Sequence, residues 1–300
     1  MIGAQAQLGR VEGGRLLRNP AVWLAFALSA QWVRSAVTND DPEDRYNLLV
    51  GYGLVVPGFV MLLHVVLAVL RARASGTEEL FSTVPVGADR RTVGHAISSF
   101  AAGALGTLWL VVLLVALRPG DVLGTERFLR DADVLRWNIL DIPRPNVAQL
   151  LQGPMAVVVT MCLGVALVRW IPSWLVVVPL AFGAMMQLTL AGLWSGAPTS
   201  IVDWLNPLSR GWVHDGWFGC AQSDDRCDLT VSGFDRTTPW WHAGYLVALA
   251  VFLVTVAVLR HRRDRMTWAV FGLSLGALLM FAAAQVIVYE RFTPLALGGG

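Results

Sequence analysis

Apolar residues in this chain come in runs too long to be the buried faces of soluble helices. Seven stretches, approximately Ala21–Val37, Leu48–Leu70, His95–Leu117, Pro154–Trp170, Trp174–Trp194, Trp241–Leu259 and Met266–Tyr289, are almost free of charge. At about 1.5 Å of rise per residue, about 20 residues cross roughly 30 Å of hydrocarbon, so runs of this size predict membrane spans. Only a helix lets an open chain satisfy its own backbone in lipid. The fold class is therefore all-α, a polytopic integral membrane helix bundle of about six to seven transmembrane helices, with residues 1–300 as a single transmembrane domain. Between the runs lie three sizeable polar segments, 71–94, 118–149 and 195–240.

Arginine orients the runs, because short arginine-rich loops stay in the cytoplasm. An inside N-terminus places Arg10, Arg15, Arg18, Arg71, Arg73, Arg90, Arg91, Arg169, Arg260, Arg262, Arg263 and Arg265 in the cytoplasm. Many acids fall on the other side, among them Asp40, Asp41, Glu43, Asp44, Glu126 and Asp131. The 71–94 segment is then a cytoplasmic loop, and 118–149 and 195–240 are external. The first twenty residues scatter arginine around Leu8, Val11, Leu16 and Leu17, a pattern compatible with an in-plane amphipathic helix or with a loose basic tail.

Composition supports the same class: 55% of the 300 residues are hydrophobic and 15% charged, too apolar for a soluble domain of this size. All 23 basic residues are arginine. With no lysine, the chain has no phosphate-binding loop of the G-x-x-x-x-G-K-[ST] type, so nucleotide hydrolysis would have to come from a partner. The arginine-only usage points to a GC-rich bacterial genome and an inner-membrane location.

Ionisable groups are scarce inside the runs, where pumps and antiporters keep them for ion binding. No Asp or Glu lies within any of the seven. His64, Gln187 and Gln285 are the principal polar candidates, and for His64 a hydrogen-bonded helix contact is favoured over a proton relay. Pro57 and Pro179 interrupt two runs, which predicts kinks or close helix approach. Cys162 reads as a packing residue. On the external side, Cys220 and Cys227 in GCAQSDDRC most simply form a local disulfide. The tryptophans at 204, 212, 217, 240 and 241 suit an interfacial aromatic belt better than an aromatic cargo site.

Catalytic and metal chemistry find weak support. His214, Asp215 and His242, with Asp203 nearby in sequence, could form a carboxylate–imidazole site, but no H-E-x-x-H or paired C-x-x-C spacing occurs. Ser195, Ser200 and Ser209 lack a G-x-S-x-G setting, and no basic, aromatic-interleaved patch suggests nucleic acid. No catalytic residue, metal ligand or resident cofactor is therefore assigned to this chain.

The segment RARASGTEELFSTVPVGADRRTVGH, from Arg71 to His95, carries the richest local code. Ser75 followed by Glu78 is a capping-box pattern, and Glu79 adds a second acid at the positive end of the helix dipole. A helix of about two turns should start near Gly76 and end by Pro85, presenting Leu80 and Phe81. Gly87 permits a turn, Asp89 can cap the next helix, and Arg90 and Arg91 sit at the membrane face. Such a short helix suits a groove on another protein; it equally suits a solvated loop whose Leu80 and Phe81 dip into the interface.

With Glu78, Leu80, Pro85, Arg90 and Arg91 in this order between a second and a third span, the loop resembles that of permeases of the ABC type-two exporter family. The resemblance implies a coupling helix, with Glu78, Glu79, Leu80, Phe81, Pro85, Arg90 and Arg91 meeting a separate ATP-binding-cassette ATPase subunit. It further implies ATP and Mg on that partner, a second permease copy or paralogue completing the pathway, and a multi-pass protein among membrane lipids. The seventh run departs from the family's usual six spans. Two other readings are a membrane enzyme using the external His/Asp/Trp region and a non-transporting sensor or assembly protein.

Overall fold

The computed structural model describes residues 2–38, 52–74, 87–116, 147–171, 173–194, 205–207 and 238–290. Helix makes up 93% of these and no strand occurs among them, so each segment satisfies its own backbone as lipid requires. The α-helices are α1 (Ile2–Leu17), α2 (Pro20–Thr38), α3 (Val55–Ala74), α4 (Ala88–Ala116), α5 (Val147–Trp170), α6 (Trp174–Trp194), α7 (Thr238–Leu259) and α8 (Arg265–Glu290). A 3-10 turn at Tyr52–Leu54 leads into α3.

Four of these helices are long and apolar enough to cross a membrane, over Ala88–Val115, Val147–Trp170, Pro239–Leu259 and Arg265–Ile287. Shorter apolar stretches run through α3 (Val55–Arg71) and α6 (Trp174–Ala184). Over the described residues the chain is thus an all-helical bundle with four helices of spanning length.

Hydropathy located helices but misjudged several boundaries. The third run was expected from His95, yet α4 starts at Ala88, because Asp89, Arg90 and Arg91 are helical although polar. The fourth was expected from Pro154, yet α5 starts at Val147 and carries Pro154 in its interior. Pro57 is the third residue of α3, in a first turn whose N–H groups lack helical partners anyway, so it does not interrupt the helix as expected. Pro179 does lie inside α6.

The N-terminal segment is a helix rather than a loose tail, and α1 packs directly on α4. A Cβ added at Gly9 would meet Ile97 Cγ2 at 2.5 Å, and one at Gly94 would meet Leu8 Cδ2 at 2.7 Å. Small residues on both helices therefore let the two backbones approach. The chain breaks at Asn19, whose Oδ1 accepts a hydrogen bond from Ala21 N at 3.0 Å. Pro20 takes the first position of α2, where no N–H is needed. From there α2 continues along α4, with the Phe26 and Trp109 rings 5.3 Å apart. Ser29 Oγ and Trp109 Nε1 both donate to Gly53 O, at 2.5 and 3.1 Å, fixing the 3-10 turn between α2 and α4.

At the centre stands α5, with 72% of its apolar stretch buried inside the bundle, against 11% for α8. Its Val157, Met161, Val165 and Ala166 share one cluster with Leu16, Phe26, Leu54, Met61, Ala102 and Leu105. Val168 joins a second cluster, with Leu62, Val66, Val177 and Ala181, and Val159 a third, with Tyr245 and Leu246. These contacts make α3, α5 and α7 run one way and α4, α6 and α8 the other. Arg71, Arg90, Arg91, Arg169, Arg260, Arg262, Arg263 and Arg265 accordingly gather at one end of the bundle, the arginine end.

The tightest contact on α5 is at Gly164, where an added Cβ would meet Leu62 Cδ1 at 2.7 Å, Val65 Cγ1 at 3.0 Å and Val66 Cγ2 at 3.2 Å. Gly164→Ala is expected to destabilise the bundle by about 1–3 kcal/mol through overpacking. Gly183→Ala on α6, with nothing within 4 Å, should not. Thermal unfolding of the two variants in detergent checks this.

Candidate functional site

The expected coupling residues divide between two parts of the chain. Glu78, Glu79, Leu80, Phe81 and Pro85 lie outside the described residues; Arg90 and Arg91 are placed, half-buried in the first turn of α4. Residues 75–86 link the end of α3 to the start of α4, and both of these lie at the arginine end.

Asp89 does not cap α4 as expected. Gly87 O accepts from Arg90 N at 3.1 Å and from Arg91 N at 3.2 Å, so the helix is already under way at Asp89. A Cβ at Gly87 would collide with Asp89 Oδ1, so glycine lets this carboxylate fold back over the start of the helix. From there Asp89 Oδ2 reaches Arg262 Nη1 at 3.6 Å, linking the start of α4 to the α7–α8 turn.

That turn is itself built around a carboxylate. Asp264 Oδ1 accepts from Thr267 N at 2.9 Å and from Thr267 Oγ1, which caps α8. Asp264 Oδ2 accepts from Arg262 Nε at 2.8 Å and lies 2.7 Å from Arg262 Nη2. The hydrogen bonds from Thr267, reinforced by the one from Arg262, hold the Asp264 carboxyl down at about 2. The same pair, with Asp89 adding to it, pushes the Arg262 guanidinium above its ordinary value. In the sequence the RHRRDR run served only to orient the chain. The D-x-x-T spacing at Asp264 and Thr267 carried the cap signal.

Two further contacts tie α5 to α7 at this end. Trp170 Nε1 donates to Val256 O at 2.9 Å, and the Arg260 guanidinium lies 5.7 Å from the centre of the Trp170 ring. Arg169 is 2% exposed, so its charge sits within the packed arginine end of the bundle.

Deeper in the bundle, His64 is a helix contact. Asn19 Oδ1 is occupied by Ala21 N, so the Asn19 amide donates from Nδ2 to His64 Nδ1 at 3.0 Å, joining the α1–α2 break to α3. The side chain of Gln187 lies outside the described residues. Cys162 is a buried free thiol whose Sγ lies 3.8 Å from Ser99 Oγ.

At the opposite end a second polar cluster forms between α5, residues 205–207, α7 and α8. His242, 2% exposed, places Nδ1 3.0 Å from Gln285 Oε1 and Nε2 3.4 Å from Pro207 O. Pro207 O also lies 3.5 Å from Gln152 Nε2, and Tyr245 OH donates to Leu205 O at 2.8 Å. A neutral imidazole donates from one nitrogen only, so His242 donates to one of these two oxygens, Gln285 Oε1 or Pro207 O. Sequence reasoning singled out Gln285 but missed Gln152, a polar side chain buried near the start of α5.

Among the described residues no group of three His, Cys, Asp or Glu side chains gathers to hold a metal ion. Asp203, His214, Asp215, Cys220 and Cys227 lie outside the described residues, so neither the carboxylate–imidazole site nor the disulfide receives a geometry. Among the described residues, the Arg262, Asp89 and Asp264 ion pairs lie at one end of the bundle and the neutral His242 cluster at the other.

Compared with known proteins, the chain matches no family model, no curated protein and no solved structure.

Asp264→Ala should lower the melting temperature of the full chain, and Asp264→Asn should retain most of it by keeping an oxygen for Thr267 N. Because folding depresses this carboxyl, its contribution is complete above its ordinary value of 3.8 and fades as pH falls towards about 2. The gap between wild type and Asp264→Ala should therefore hold steady from pH 8 to pH 5. Detergent melts across that range check it.

Proposed function

We propose that this chain is the membrane-spanning permease subunit of an ATP-driven transporter, working with a separate ATP-binding-cassette ATPase that binds ATP and Mg. The observation that carries the reading is the link from the start of α4 to the α7–α8 turn through Asp89, Arg262 and Asp264. Residues 75–86 attach to α4 immediately before this link. A force applied to that segment reaches α3 and α4 directly and α7–α8 through one ion-pair chain. The coupling role of Glu78, Glu79, Leu80, Phe81, Pro85, Arg90 and Arg91 rests on the sequence pattern, to which the structure adds this mechanical setting.

In this reading the arginine end is cytoplasmic, which follows from the preference of arginine-rich loops for that side. All seven apolar runs then span a bacterial inner membrane. Export is the direction that the resemblance to ABC type-two permeases implies. A second permease unit has an unoccupied face available on α8, where Leu273 is 75% and Leu279 61% exposed.

Purification from the native host in mild detergent tests the proposal. A stoichiometric nucleotide-binding subunit with ATPase activity should be retained, and the double variant Leu80→Asp/Phe81→Asp should reduce its retention by about tenfold or more, as loss of interface anchors does. Recovery of the chain without any ATPase, while other membrane complexes in the same extract stay intact, would overturn it.

A further inference from the structure

An apolar cleft of about 450 Å³ opens between α4, α5, α7 and α8. Ile97, Val158, Val254, Val258 and Val270 are among the side chains that wall it. Its volume lies within the range of small-molecule sites. The polar atoms in the walls already have internal partners: Ser99 Oγ donates to Ala96 O at 2.6 Å, Thr255 Oγ1 to Val251 O at 2.8 Å, and Thr267 Oγ1 to Asp264. A guest in the cleft therefore has no hydrogen bonds to make along its length, which suits a hydrocarbon chain.

The two extremities of the cleft differ in chemistry. Phe100 (70% exposed), Met266 (69%) and Val251 (46%) border its lateral mouth, an apolar rim of the kind that faces lipid tails rather than water. At the arginine end it meets Arg262, in the turn between the spanning stretches that stop at Leu259 and resume at Arg265. That level is where lipid headgroups lie. Among the described residues, Arg260, Arg263 and Arg265 lie close to Arg262 in sequence and Arg90 and Arg91 lie in the first turn of α4, with the carboxylates of Asp89 and Asp264 at the same ends of α4, α7 and α8. Arg262 is held in place by Asp264 through Nε and Nη2, and its Nη1 lies 3.6 Å from Asp89 at the edge of the cleft.

We infer that this cleft is a binding site for an anionic phospholipid of the surrounding bilayer, one acyl chain lying between α4 and α7–α8 and the phosphate against Arg262. Basic pockets between membrane helices recognise anionic headgroups in this way, and the fixed guanidinium is organised before the lipid arrives. The inference needs only the membrane bundle, not the permease reading. It can fail or stand whether or not an ATPase partner exists.

Titration of the full-length, detergent-purified chain with phosphatidylglycerol and with phosphatidylcholine of identical acyl chains, read by native mass spectrometry, tests the site. Phosphatidylglycerol should bind at least about fivefold more tightly, the factor that one arginine–headgroup interaction supplies. Arg262→Gln should remove that preference, and Arg262→Lys should keep most of it. Val251→Trp, a bulky change at the exposed mouth that leaves every ion pair intact, should weaken phosphatidylglycerol by about tenfold. Leu273→Trp, on the outward face of α8, should change nothing. Equal affinity for the two lipids, or unaltered phosphatidylglycerol binding by Val251→Trp, would overturn the inference.

Discussion

Close packing around α5 is the interaction on which the rest of the bundle depends. Between helices surrounded by lipid the hydrophobic effect offers no net attraction, because an apolar side chain is as well solvated by acyl chains as by another helix. What remains is van der Waals contact, which falls away within an ångström of misfit. The Gly164 contact with Leu62, Val65 and Val66, and the approach of Gly103 and Gly106 to the Pro154 turn, bring the helices within that distance. Each is a place where a missing side chain on one helix admits a full one from its neighbour. Because α5 takes part in three separate clusters, a shift of this helix disturbs α3, α4 and α7 together.

Polar groups are distributed as the same environment dictates. The carboxylates of Asp89 and Asp264 pair with Arg262 at the arginine end, where all three stay partly exposed and neither ion needs full desolvation. The opposite cluster of His242, Gln285, Gln152, Tyr245 and the carbonyls of residues 205–207 is built from neutral groups that satisfy one another within the packed interior. A buried carboxylate in its place would carry a far larger cost. The bundle thus has partly exposed ion pairs at one end and a buried neutral cluster at the other.

Helix positions were largely legible in the sequence because hydrocarbon solubility leaves a mark on every residue. The sixth helix, Trp174–Trp194, coincides with its apolar run, since tryptophan bounds it on both sides. Where the reading failed, it treated the edge of the hydrocarbon as the edge of the helix. Asp89, Arg90 and Arg91 are polar and helical at once, and Pro154 lies inside α5, packed against Gly106 of α4. Pairings remote in sequence left no signal: nothing in the neighbourhood of His242 announces Gln285, 43 positions away, nor does Asn19 announce His64. The coupling residues rest on local pattern alone, since most of them lie in the undescribed segment between α3 and α4.

The packing of α1 against α4 has a bearing on how the protein is made. Leu8 and Gly94, which touch in the finished bundle, are 86 positions apart, and α1 leaves the ribosome before α4. At about 5–20 residues per second, roughly 4–17 seconds pass before its docking surface on α4 exists. Until then the glycine face of α1 lacks the α4 side chains that fill it, so this contact forms only once α4 has joined the bundle.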